Sequence, residues 1–203
     1  MATQRMTRRQ VLIRAGAAGV VASLAPTAAL ADDQGKGKLV RWDLVQIVQG
    51  VVLAGGTDTG LDSGSKLMVQ LTGSGQAEPA RRQAAGGGTF ALLKLNGTEL
   101  LHGAYFVTGF DAFRNAGGTL VGTGLTDGIG ELEETTGGSL SLNVHLVATS
   151  GGRADFVLTV HCNLPGSNPE IGGDEGITLV GGPRRFIQHG GATLFHVVRG
   201  DER

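Results

Sequence analysis

Residues 139–162 alternate strictly. Leu140, Leu142, Val144, Leu146 and Ala148, and after a turn Phe156, Leu158, Val160 and Cys162, hold the even positions, and all are apolar. The odd positions are mostly polar, among them Ser141, Asn143, His145, Asp155, Thr159 and His161. A period of two over two successive runs requires strands with one buried and one wet face, because successive side chains on a strand point to opposite sides. The segment therefore predicts a β-hairpin. Pairing its even faces with Ala148 opposite Phe156 would set Asn143 opposite His161 and make His145 and His161 diagonal neighbours.

The same period recurs in shorter runs. Residues 39–48 read as a strand with Val40, Trp42 and Leu44 on one face and Arg41 and Asp43 on the other, slipping at Val45-Gln46-Ile47 as a bulge does. Further strands are predicted at 51–54, at 67–72, at 89–95 and 104–113 flanking Asn96-Gly97, at 119–123, and at 177–180, 185–188 and 192–198. Residues 55–64 read as a turn, and 73–85, 126–138 and 165–173 as irregular loops. The fold class that follows is all-β, a single antiparallel β-sandwich or closed β-barrel of about nine to eleven short strands. Glycine fits this reading: 36 occur, in pairs and triplets without a fixed period, which excludes collagen and reads as turns and bulges.

The first 31 residues have a different character. Arg5, Arg8, Arg9 and Arg14 form a cationic start without a single acid; residues 15–25 are apolar; Ala29-Leu30-Ala31 offers small residues for cleavage. Thr7-Arg8-Arg9-Gln10-Val11-Leu12 resembles the twin-arginine translocation signal, with Val11 where that pattern favours Phe and Ile13 where it favours Lys. The resemblance implies export of an already folded domain, with the twin-arginine machinery as a partner and a secreted or cell-envelope location. The apolar run falls far short of the roughly 20 residues a membrane span needs, so cleavage after Ala31 is expected to leave residues 32–203 as one glycine-rich domain without a membrane span. Removing the four leader arginines from 17 basic residues leaves a net charge of −5 against 18 acids, which disfavours nucleic acid and anionic membranes as partners. The single cysteine, Cys162, cannot form an internal disulfide and reads as a small buried hydrophobe.

Chemical signatures are sparse. His145 and His161, with Asn143 between them on the expected outer face, supply at most half of a metal site, and no His-x-His spacing exists to complete it. His161 and Cys162 are adjacent and so point to opposite faces, which argues against a Cys–His dyad. Asp58-Thr59-Gly60 and Asp62-Ser63-Gly64 resemble the Asp-Thr/Ser-Gly signature of aspartic proteases, but no apolar strand leads into either aspartate and both lie in one segment, so they read as a turn. Asp127, Glu131, Glu133 and Glu134, and separately Asp174 and Glu175, lack calcium-loop spacing and read as solvated charge. No metal and no cofactor is expected.

The run Val160-His161-Cys162-Asn163-Leu164-Pro165-Gly166-Ser167, followed by Glu175-Gly176-Ile177-Thr178 and Thr193-Leu194-Phe195-His196, resembles a pattern in an uncharacterised group of twin-arginine-exported bacterial all-β proteins. The resemblance covers mainly the C-terminal third and carries no activity. It implies that Pro165, Gly166 and Glu175 shape one loop beside the end of the hairpin, the first place to look for a ligand. Low aromatic content, 4%, speaks against a carbohydrate-stacking surface. The expected function is an exported, non-enzymatic β domain with a binding or cell-envelope role toward an unidentified small molecule or envelope component, with His145, His161, Asn143 and Glu175 as candidate contacts. The alternative is a small barrel enzyme of isomerase or cyclase type, acting on an apolar small molecule inside the sheet.

Overall fold

A computed structural model describes residues 38–199; the segment expected as a leader, with Arg8, Arg9, Ala29 and Ala31, lies outside them. The described chain is all-β. Its strands are β1 (Lys38–Val48), β2 (Val51–Ala54), β3 (Asp58–Asp62), β4 (Leu67–Leu71), β5 (Ser74–Glu78), β6 (Gln83–Lys94), β7 (Glu99–Gly117), β8 (Thr126–Asp127), β9 (Thr135–Ala148), β10 (Arg153–Cys162), β11 (Gly176–Gly181), β12 (Arg184–Gly190) and β13 (Ala192–Arg199). All pairings are antiparallel except that of β2 with the two-residue β8. Among the described residues no helix is long and apolar enough to cross a membrane.

Of the sandwich and the barrel, the structure is the barrel. Ten strands close an antiparallel circuit in the order β9-β10-β11-β12-β3-β4-β6-β5-β1-β13 and back to β9. β7 joins β6 to β9 across that circuit, so one end is ringed by eight strands and the other by six. The 19-residue β7 follows β9 through bulges at Val107/Gly109, Phe110/Ala112 and Asn115/Gly117, which bend it enough to serve both ends.

The hairpin of β9 and β10 forms with its even residues inward: Leu140, Leu142, Val144, Leu158, Val160 and Cys162 are all buried to 1% exposure or less. Its register differs from expectation by four residues, with Phe156 opposite Val144 and Asp155 opposite His145. The tight turn at 149–152, closed by the Gly151 and Ala148 amides at 2.9 and 2.8 Å, brings Arg153 to Asp155 into the strand. An even shift keeps every side chain on its face, so alternation alone does not see it.

Four segments depart from expectation. Residues 55–64 contain strand β3, whose inward positions are Asp58, Gly60 and Asp62 rather than apolar residues. A side chain at Gly60 would come 2.9 Å from the Phe186 Cβ, so the phenylalanine fills the place from the opposite strand. Residues 73–85 form β5, a 3-10 turn (Pro79–Arg81) and the start of β6. There a Cβ on Gly75 would lie 2.3 Å from the Ala85 carbonyl and 2.8 Å from Trp42 Nε1, and one on Gly86 2.5 Å from the Ser74 carbonyl and 3.1 Å from Trp42 Cζ2: the strands are bare because their backbones approach closely against the indole. Residues 119–123 are turn rather than strand, held by Thr123 and Thr119 hydroxyls on local backbone groups.

Of residues 126–138, expected as an exposed acidic loop, 135–138 instead begin β9, and the segment before them lies over the outer face of β1 and β13. Arg41 pairs with the fully buried Asp43 at 2.8 Å and donates to the Ile129 carbonyl at 3.1 Å. Asp127 meets His196 Nε2 at 2.6 Å, both side chains 1% exposed. The barrel interior is filled by Trp42, Leu71, Ile177, Leu179 and Phe195, the last edge-to-face on Phe113 at 5.7 Å.

Candidate ligand site at the barrel mouth

Four hairpin turns, at 63–66, 95–98, 149–152 and 182–183, gather at the eight-strand end. Between them the interior opens into a cleft of about 270 Å³. Its walls are aliphatic, from Val69 on β4, Leu92 on β6, Leu101 on β7, Leu146 on β9 and Leu179 on β11, with the rings of Phe90, Phe156 and Phe186 among them. The floor is closed, since Leu142, Val144 and Leu158 below are packed to at most 1% exposure. At the rim stand Gly152, Arg153, Ala154 and Arg184. A barrel of eight strands is just wide enough to be filled by side chains or to hold one small ligand, and barrel mouths are preferred sites for apolar pockets with a few placed polar groups. A void of about 150 Å³ suffices for benzene, so this cleft takes a small apolar group and not a drug-sized one. No nucleophile, histidine or carboxylate lines it; its only ionic groups are the two arginines.

The structure separates the residues singled out from the sequence. His145 and Asn143 share the outer face of β9, where His145 Nδ1 meets Asp155 at 2.7 Å and Asn143 is exposed. His161 is opposite Ser139 rather than Asn143, and its Nδ1 meets the Gly172 carbonyl at 2.9 Å, pinning the one-turn helix Pro169–Gly172. The histidines are not diagonal neighbours: their partners on the opposing strand, Asp155 and Ser139, belong to opposite ends of the ladder. Among the described residues no group of three or more His, Cys, Asp or Glu is placed to hold a metal ion.

Glu175 does lie beside the end of the hairpin, in the loop with Pro165. It fills the seam where β10 and β13 part: Oε2 accepts from the Asn163 amide at 2.5 Å, and Oε1 from the Thr193 amide at 2.6 Å and hydroxyl at 2.9 Å. The Thr193 hydroxyl also reaches the His161 carbonyl at 2.6 Å. Glu175 thus satisfies backbone groups that the diverging strands leave unpaired. Burial raises its pKa, opposed by these donors. It borders an outer groove of about 470 Å³ formed by Leu120, Leu125, Leu164 and Pro165 over Val52 and Leu194, but both its oxygens are already engaged.

Sequence reading weighs Asp58 only as part of a protease-like Asp-Thr-Gly triplet and assigns it to a turn. It is instead an inward residue of β3 with no exposure; Oδ1 accepts from the Thr59 amide at 2.7 Å and, among the described residues, Oδ2 has no hydrogen-bond partner. Burial first, then the nearby charge of Glu175, outweighs the Thr59 donor and pushes its pKa up to about 7. Gly191 makes room for it, since a Cβ there would lie 2.3 Å from the Asp58 Cγ. The rim arginines were missed, as only barrel closure brings the starts of β10 and β12 together. Cys162 is the buried hydrophobe expected, its thiol directed to the Thr193 carbonyl at 3.4 Å and its pKa raised by burial. Comparison with protein-family models, curated proteins and solved structures yields no match.

Proposed function

We propose that this chain is an exported binding domain that holds a small apolar molecule, or the apolar end of a larger one, in the mouth of its barrel. The observation that carries the reading is the cleft: a concave surface of about 270 Å³, walled by aliphatic and aromatic side chains, that a fully packed barrel would not leave open. The absence of any proton-transferring or nucleophilic side chain among its lining residues supports binding over catalysis. Export rests on the twin-arginine-like leader, and delivery to the envelope or medium follows from it.

Displacement of an environment-sensitive apolar dye from the purified full chain tests the reading. Ala154→Trp, which adds an indole at the rim, should abolish dye uptake while the far-UV spectrum and melting temperature stay close to the parent's. Uptake undiminished by that indole would refute the assignment of the site.

A further inference from the structure

We infer that the mouth ligand carries an anionic head, a carboxylate or phosphate, on its apolar body; this rests on the reading of the cleft as the binding site. The inference comes from which charges at that end of the barrel are already engaged. Asp62 is saturated by its own turn, accepting from the Gly64 amide at 3.1 Å, the Ser65 amide at 3.2 Å and the Ser65 hydroxyl at 2.6 Å. Glu99 is held by His102 at 2.7 Å, and Asp155 by His145 at 2.7 Å.

The rim cations are not matched in this way. Arg184 approaches Asp62 only to 3.7 Å, beyond hydrogen-bond length. Arg153 makes no ion pair or side-chain hydrogen bond among the described residues. Among the described residues neither guanidinium makes a hydrogen bond and only Arg184 has an ion pair, the loose one to Asp62, so both forks of donors stand open at the lip of an otherwise apolar cleft.

Both side chains remain partly in water, Arg184 at 43% exposure, so neither carries a burial penalty that demands a partner within the protein. An amphiphile satisfies both halves of the surface at once: its tail covers the partly exposed Leu92, Leu101 and Phe156, and its head accepts from the fork. A cationic head would instead meet two like charges, and a neutral one would leave the donors to solvent.

The test is calorimetric binding of octanoate, octyl phosphate, octanol and octylamine to the full chain at low and high salt. Octanoate and octyl phosphate should bind at least fivefold more tightly than octanol at low salt, with octylamine weakest, and the margin should shrink as salt screens it. In the Arg153→Gln/Arg184→Gln variant the preference for octanoate over octanol should fall at least fivefold, whereas Arg81→Gln, which removes a cation paired with Glu78 away from the cleft, should retain it. Equal binding of octanoate and octanol, or a preference that survives in the double variant, overturns the anionic head and leaves the cleft standing. Failure of every octyl compound to bind, or binding indifferent to Ala154→Trp, overturns the cleft and the head with it. The tighter of the octanoate and octyl phosphate arms identifies which head the fork prefers.

Discussion

Asp58→Asn separates the buried carboxyl's two protonation states in a single measurement. In the folded protein the Asp58 pKa stands at about 7, against an ordinary value of 3.8. The folded state therefore holds its proton more tightly than the unfolded state. Where unfolding releases a proton, stability falls as pH rises. Asp58 accordingly contributes stability that is lost between pH 3.8 and about 7, and no further slope above that window. At 1.36 kcal/mol per pH unit the full window corresponds to about 4 kcal/mol. Asparagine keeps the oxygen that accepts from Thr59 and cannot ionise, so its stability lacks this slope; Glu175, raised in the same direction, acts in both proteins and largely cancels from the difference. Urea unfolding followed by the emission of Trp42, the chain's one tryptophan and fully buried, reads both proteins across pH. Relative to wild type, the variant should gain about 3 kcal/mol between pH 4.5 and pH 8. A difference independent of pH, or one that runs in wild type's favour as pH rises, would refute a buried, proton-binding Asp58.

Other substitutions probe the remaining packing devices. Asp127→Ala leaves the buried His196 Nε2 without its hydrogen-bond partner and frees the amides of Ile129 and Gly130; it should cost about 3 kcal/mol and raise hydrogen exchange throughout residues 118–134 while β9 and β10 stay protected. The Cys162 thiol, fully buried with its pKa raised, should resist a disulfide reagent at pH 8 until denaturant unfolds the chain; prompt labelling of the native protein would contradict its burial. Gly191→Ala combines φ +134° with a clash against Asp58 and should cost about 3 kcal/mol, whereas Gly122→Ala, at φ +83° with open space around it, should cost about 1 kcal/mol by urea midpoint.

The strands that sequence reading finds are those whose burial is written in their own side chains. β9 and β10 alternate apolar and polar residues along most of their length and β1 does so from Val40 to Leu44, and the period survives the four-residue difference in hairpin register. The strands it misses are those whose inner face is filled from elsewhere. Gly75 and Gly86 look like turn residues until Trp42 is laid across them, and Gly60 until Phe186 is. Propensity weighs a residue by its own side chain, and a strand that contributes backbone to a core contributes nothing to that weight.

Strand number at the two ends accounts both for the glycine-rich strands and for the cleft. A barrel's diameter grows with its strand count. At the six-strand end β1, β5, β6 and β13 crowd around Trp42, Phe195 and Phe113, and only glycine at positions 75 and 86 leaves room for the indole. At the eight-strand end the ring is wider, yet the residues facing inward are no larger: valine, leucine and phenylalanine line it, and no tryptophan reaches its centre. Side chains of that size leave the wide ring open by about 270 Å³. The candidate site is therefore a consequence of closure, assembled from residues between Val69 and Phe186 that share no motif, and it stays hidden until β7 is seen to join β6 to β9. Filling it from within, as Ala154→Trp does, should cost the protein little stability, because the space belongs to the wide ring rather than to a defect in packing.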